Sequence, residues 1–136
     1  MSDNLDRFVS AQADVYPAVL AELKAGRKRT HWMWFVFPQI AGLGSSPTAQ
    51  RYAIPSLEVA RAYLAHPVLG PRLHESARAL LAVEGKSAED ILGYPDDLKL
   101  RSSMTLFARA ADDPADFEAV LERYYDGPDP RTLALI

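Results

Sequence analysis

Residues 26–46 read GRKRTHWMWFVFPQIAGLGSS, and the reading of this stretch decides the fold. Three consecutive cations, Arg27, Lys28 and Arg29, lead through Thr30 and His31 into an unbroken apolar run from Trp32 to Phe37. The run holds both tryptophans of the chain. Trp32, Phe35, Val36 and Ile40 follow helical spacing, while Met33, Trp34 and Phe37 fill the other side. A segment apolar all round is buried all round. A strand fits the same letters, since aromatic residues and valine favour strands. No second clear strand is available to pair with it, so the run is read as a short buried helix that Pro38 ends or kinks. Residues 41–55 (AGLGSSPTAQRYAIP) then read as loop, punctuated by Gly42, Gly44, Pro47 and Pro55.

Outward from this stretch the pattern is amphipathic helix. Towards the N-terminus, Ser2 or Asp3 caps a first helix carrying Leu5, Phe8, Val9 and Gln12. Asp14 caps a second, with Pro17 in its first turn and Gly26 as its C-cap. Towards the C-terminus, Ser56 caps a helix that stops at His66, before Pro67. Residues 67–83 form the next, its start at Gly70 or Pro71. SAED at 87–90 opens a short turn of helix that Gly93 ends. The strongest helical pattern spans 95–111, with Leu100, Met104, Phe107, Ala108 and Ala111 inward. Asp113 caps a last helix with Pro114 at its first position, and the tail PDPRTLALI docks through its apolar end. The expectation is an all-α fold with at most a token β-bridge. Six or seven helices would make a compact single-domain bundle over residues 1–136, around the buried tryptophan-rich segment. Trp32 or Trp34, and Phe107, belong to its core.

Composition agrees with one ordinary globular domain: 136 residues, 49% hydrophobic and 24% charged. The chain has no cysteine, which excludes thiolate metal or redox chemistry and a disulfide-stapled scaffold. MSDNLDRF lacks the basic and apolar regions of a signal peptide, and no apolar run approaches the ~20 residues of a membrane span. A cytoplasmic protein without membrane attachment is expected. The formal net charge of -3 argues against general affinity for nucleic acid.

Each chemistry-bearing group has a bland reading beside its functional one. Arg27 to Arg29 suit a phosphate or carboxylate, but cations also belong near a helix C-terminus. Asp112, Asp113, Asp116 and Glu118 are explained by helix capping. His31 suits acid–base work, though a lone histidine is more often a hydrogen-bonded structural residue. His66 and His74 are placed at helix starts or on solvated faces, and no metal or cofactor site is expected, since no histidine and carboxylate have metal-ligand spacing. The Gly42–Ser46 loop lacks the lysine and spacing of a P-loop. DDLKLRSSM (96–104) is the most unusual polar group. Asp97 and Arg101 are spaced to pair on one face, and Ser102 and Ser103 are poor mid-helix residues.

GRKRTHWMWFVFPQIAGLGSS (26–46), YLAHPVLGPRL (63–73) and DDLKLRSSMTLF (96–107) together resemble a bacterial family catalogued as a domain of unknown function, number 1810. Its members are sometimes mislabelled calpastatin. The resemblance spans Leu5 to Leu133, and the tryptophan motif is its specific part. It implies a mostly α-helical single domain of cytoplasmic type and no activity.

The two motifs are complementary in sign and are expected to meet in one polar pocket. The pocket would hold a small anionic or nucleotide-like ligand. Arg29 and Lys99 would be charge partners, Ser102 or Ser103 donors, and His31 the acid–base group, with Ser45, Asp97 and Arg101 alongside. The alternative is a structural or protein-interaction module in which the same groups staple loop to helix. Neither the reaction, if any, nor a protein partner is legible.

Overall fold

The computed structural model describes residues 5–136, among which lie ten α-helices. They are α1 (Asp6–Gln12), α2 (Tyr16–Ala25), α3 (Met33–Val36), α4 (Pro47–Arg51), α5 (Leu57–Ala65), α6 (Leu69–Ala82), α7 (Ala88–Leu92), α8 (Asp96–Ala110), α9 (Ala115–Tyr124) and α10 (Pro130–Leu135). The one β-type pairing among the described residues is an isolated parallel bridge between Ile40 and Ile54. The fold is all-helical, and its helices outnumber the six or seven expected because short ones fall where the sequence shows no apolar stripe. α4 lies in the stretch read as loop: Ser46 accepts the Ala49 amide and Pro47 opens the helix, which buries only Ala49. α10 is likewise set by a cap, Asp129, followed by Pro130.

Local signals place most boundaries. Ser56 caps α5, and Ser87 with Asp90 forms a reciprocal capping box on α7. Gly26 ends α2 at φ 72°, the left-handed conformation that suits glycine. Asp14 does not cap α2, whose N-cap is Val15 with no side-chain bond. Asp113 stands one residue before the actual N-cap, Pro114, yet its carboxylate still accepts the Ala115 amide at 3.3 Å. α6 begins at Leu69, which leaves Pro71 in the first turn, where its missing N–H costs no helical bond. The proposed caps Ser2 and Asp3 lie outside the described residues.

α8 is the central helix, packing against α5, α7, α9 and α10. Every residue from Ser102 to Phe107 is buried, so its middle meets neighbours on all sides. α6 packs against α2, α5 and α9. Gly70 lets α6 start against the end of α5: a Cβ there would lie 2.0 Å from the Leu64 carbonyl oxygen. One contiguous core joins Phe8, Leu23, Phe37, Tyr63, Leu80, Phe107 and Phe117 with their neighbours. Trp32 belongs to it at 2% exposure, while Trp34 is only half-buried. The tail docks on α8 through the fully buried Thr132, and its apolar end, Leu135 and Ile136, stays exposed. No helix among the described residues is long and apolar enough to cross a membrane.

Candidate functional site

Lys86 holds the Gly26 carbonyl and the Ile91 carbonyl takes the Lys28 amide, and beyond them one side chain gathers residues 29–32. The Glu22 carboxylate, on the last turns of α2, accepts the amides of Arg29 (2.6 Å) and Thr30 (3.0 Å), the Thr30 hydroxyl (2.7 Å) and the Trp32 indole N–H (3.0 Å). Partial burial pushes the Glu22 carboxyl up, but these hydrogen bonds outweigh burial and hold it at about 2. The clamp leaves the Arg29 and His31 side chains exposed and turns Lys28 inward.

Lys28 joins the tryptophan stretch to α8. Its Nζ lies 2.9 Å from Asp96 Oδ2 and 5.3 Å from the Trp32 ring centroid. The other oxygen of Asp96 takes Lys99 Nζ at 3.2 Å, and that ammonium sits over the Trp34 ring, 3.8 Å from its centroid. One carboxylate thus serves two ammonium groups. A cation on an indole face is a favourable contact that also fixes the ring plane.

Beside Lys99 opens a cleft of about 220 Å³. Trp34, Leu43 and Gly44 of the tryptophan stretch form one wall, Leu98, Lys99 and Ser102 of α8 another, and Arg131 of α10 a third. Arg131 is exposed, and its guanidinium makes one long hydrogen bond, 3.5 Å to the Leu43 carbonyl. Behind the cleft, the Asp129 carboxylate accepts the Ser102 hydroxyl (2.9 Å), the Thr132 hydroxyl (2.6 Å) and the Arg131 and Thr132 amides. Burial raises the Asp129 carboxyl, but these donors outweigh it and keep it below the usual carboxylate range. Asp129 is therefore satisfied, and it fixes α10 beside the cleft.

The geometry brings together some of the expected residues and separates others. Lys99 and Ser102 line the cleft with the tryptophan stretch, so the two motifs meet. Ser45 is not among its lining, and its carbonyl accepts the Gln50 side chain. Arg101 does not pair with Asp97: its guanidinium donates to the Gly127 (2.9 Å) and Pro128 (3.1 Å) carbonyls. The Asp97 carbonyl accepts the Tyr125 hydroxyl, and Asp97 Oδ1 is buried without a hydrogen bond. Ser103 is fully buried with its hydroxyl unpaired, and acts as a small residue within the core. The sequence reading took Asp96 only as half of a carboxylate pair with Asp97, not as the anion that Lys28 and Lys99 share, and it missed Arg131 as a wall. It also weighed Lys28 only as one of three equivalent cations.

It passed over a histidine–carboxylate pair as well. His74 Nδ1 lies 2.9 Å from Asp116 Oδ2, across the α6–α9 contact, and the same oxygen takes Arg78 Nε at 2.9 Å. The His74 ring packs against Phe117 at 4.7 Å between centroids. His74 is half-buried rather than solvated. The two residues are 42 positions apart, so no local pattern announces the pair.

Among known proteins, the family model described as "Protein of unknown function (DUF1810)" matches residues 2–136. No curated protein matches the chain. Of solved structures, the crystal structure of the conserved hypothetical protein Rv1873 from Mycobacterium tuberculosis is similar, with a TM-score of 0.95 and 64% identity. The match covers 97% of this chain and 95% of that one.

Proposed function

This chain belongs to the DUF1810 family of proteins of unknown function, and on that footing we propose that it binds a small anionic or nucleotide-like ligand in the cleft between Trp34, α8 and Arg131. The observation that carries this reading is the surplus of positive charge there. Lys99 and Arg131 both line the cleft and, among the described residues, no carboxylate does; Asp96, which Lys99 shares with Lys28, and Asp129 stand behind that lining with donors of their own. An anion between Lys99 and Arg131 completes the balance.

The cleft is smaller than the ~300–1,000 Å³ typical of drug-sized sites, so it takes the anionic end of a ligand. A ring attached to it meets the apolar part of the lining, the Trp34 ring and Leu98, which is 49% exposed. A larger cleft between α8 and α9, about 540 Å³, is lined by Glu118, Glu122 and Asp126 beside Arg109, and that excess of carboxylates repels an anion. Of the residues expected to act, Lys99 and Ser102 stay in the proposed site. Arg29 gives way to Arg131, and no acid–base group is assigned. A cytoplasmic setting fits a chain without cysteine.

A thermal-shift screen tests the proposal with inorganic phosphate, nucleoside monophosphates and the uncharged nucleosides. The melting temperature rises with the anions and not with the nucleosides, and Lys99→Ala and Arg131→Ala each abolish the rise. A rise that survives both substitutions places the ligand elsewhere, and no rise with any anion sinks the proposal. The rival reading, a structural or interaction module, draws on the saturated bonding of Asp129 and Arg101, which staples the tail to α8 without a ligand.

A further inference from the structure

His74 also lines a second cleft, about 420 Å³, with Arg61 and Leu64 of α5 and Ala111, Asp112 and Asp113 of the α8–α9 turn. Asp116 lies outside that lining. A carboxylate oxygen that already takes Arg78 Nε serves His74 Nδ1 as an acceptor, which puts a proton on Nδ1 and, in the neutral imidazole, the lone pair on Nε2. The ring edge not bonded to Asp116 is the one bearing Nε2, and contact with Phe117 fixes its plane. The imidazole is an oriented acceptor at the wall of an open cleft, the arrangement in which a histidine takes a proton or hydrogen bond from a ligand.

The charges around it do not neutralise one another. Among the described residues, Arg61 and Asp112 make no hydrogen bond or ion pair, and Asp113 spends one oxygen on the Ala115 amide. One cation and two anions thus share a cleft with apolar walls at Leu64 and Ala111. A simple anion meets repulsion from the aspartates, and a simple cation leaves Arg61 unanswered. A molecule carrying both charges answers both. We infer that this cleft binds a small zwitterion of the amino-acid class. Its carboxylate lies on Arg61, its ammonium lies at Asp112 and Asp113, and one N–H of that ammonium is donated to His74 Nε2. The inference is independent of the Lys99–Arg131 cleft, and either stands without the other.

Long-range proton–nitrogen NMR of the full chain at neutral pH reads the tautomer of each of its three histidines, with His74→Gln identifying the His74 signals. The expected result is a His74 protonated on Nδ1, whose resonances move saturably with L-alanine. Propionate and ethylamine, each carrying half of the charge pattern, move them at least about tenfold less effectively. Arg61→Gln, at an exposed position, keeps the melting temperature and weakens alanine at least about tenfold. A proton on Nε2, no saturable response to alanine, an equal response to propionate, or unchanged affinity in Arg61→Gln each overturns the inference.

Discussion

Glu22 sets the path of the chain where the sequence is richest in charge. Its carboxylate gathers four donors from residues seven to ten positions ahead, two of them backbone amides that would otherwise face solvent. Glu22→Gln swaps a charged acceptor for an amide with half the accepting capacity, and is expected to cost about 1–2 kcal/mol in urea denaturation at neutral pH. The folded-state carboxyl is depressed from 4.5 to about 2. Its contribution is therefore fully present above 4.5 and is lost as pH falls through about 2. The stability difference between wild type and Glu22→Gln should narrow across that window, and a difference constant down to pH 2 would contradict the clamp. None of this was legible beforehand. Glu22 lies on a helix and its partners in an aperiodic loop, so no spacing rule connects them. Nothing in the sequence distinguishes Arg29 and His31 from Lys28, and the inward turn of Lys28 alone follows from the clamp. The separation of Arg101 from Asp97 has the same origin, because two carbonyls of the 127–128 turn compete for the guanidinium.

At the scale of elements, α10 hangs on one carboxylate. Asp129 caps its first turn and holds Ser102, while its own amide donates to Thr105 Oγ1. Asp129→Ala is expected to cost about 1–2 kcal/mol. Amide hydrogen exchange would find the loss of protection concentrated in 130–135, and a loss spread evenly over all helices would argue against a local latch. The α5–α6 corner depends on Gly70. Gly70→Ala puts a methyl against the Leu64 carbonyl, which only a backbone shift can relieve, and is expected to cost roughly 1–3 kcal/mol in melting experiments. These elements were legible in unequal measure. α5, α7 and α8 announce themselves through Ser56, Ser87 and a long apolar stripe. α4 and α10 bury one residue each, so their caps stand alone without periodicity, and a loop is the natural reading. Of the two hydroxyls that looked misplaced in mid-α8, Ser102 has a polar reason, reaching both the Leu98 carbonyl and the Asp129 carboxylate, and Thr105 beside it donates to the Arg101 carbonyl while accepting the Asp129 amide; Ser103 has only its small size.

For the whole molecule, the tryptophan stretch divides its two indoles between core and surface. Trp32 and Phe107 are buried in the common core, and replacing either with alanine should cost ~3–5 kcal/mol. Trp34→Ala should cost distinctly less, since that ring is half-exposed and packs under Lys99. Equal losses at both tryptophans would contradict this division. The all-helical class followed from caps and periodicity, but the cleft did not, because it depends on α10 bringing Arg131 beside a loop 88 residues away. The division of the tryptophans also supplies a reporter, as only Trp34 faces the proposed site. The most direct test is a tryptophan fluorescence titration with a nucleoside monophosphate, run on wild type and on Trp34→Phe. The account predicts saturable quenching in the wild type and none in Trp34→Phe, while Trp34→Phe still takes up the ligand by calorimetry. No saturable quenching in the wild type, or equal quenching in the two proteins, would contradict it.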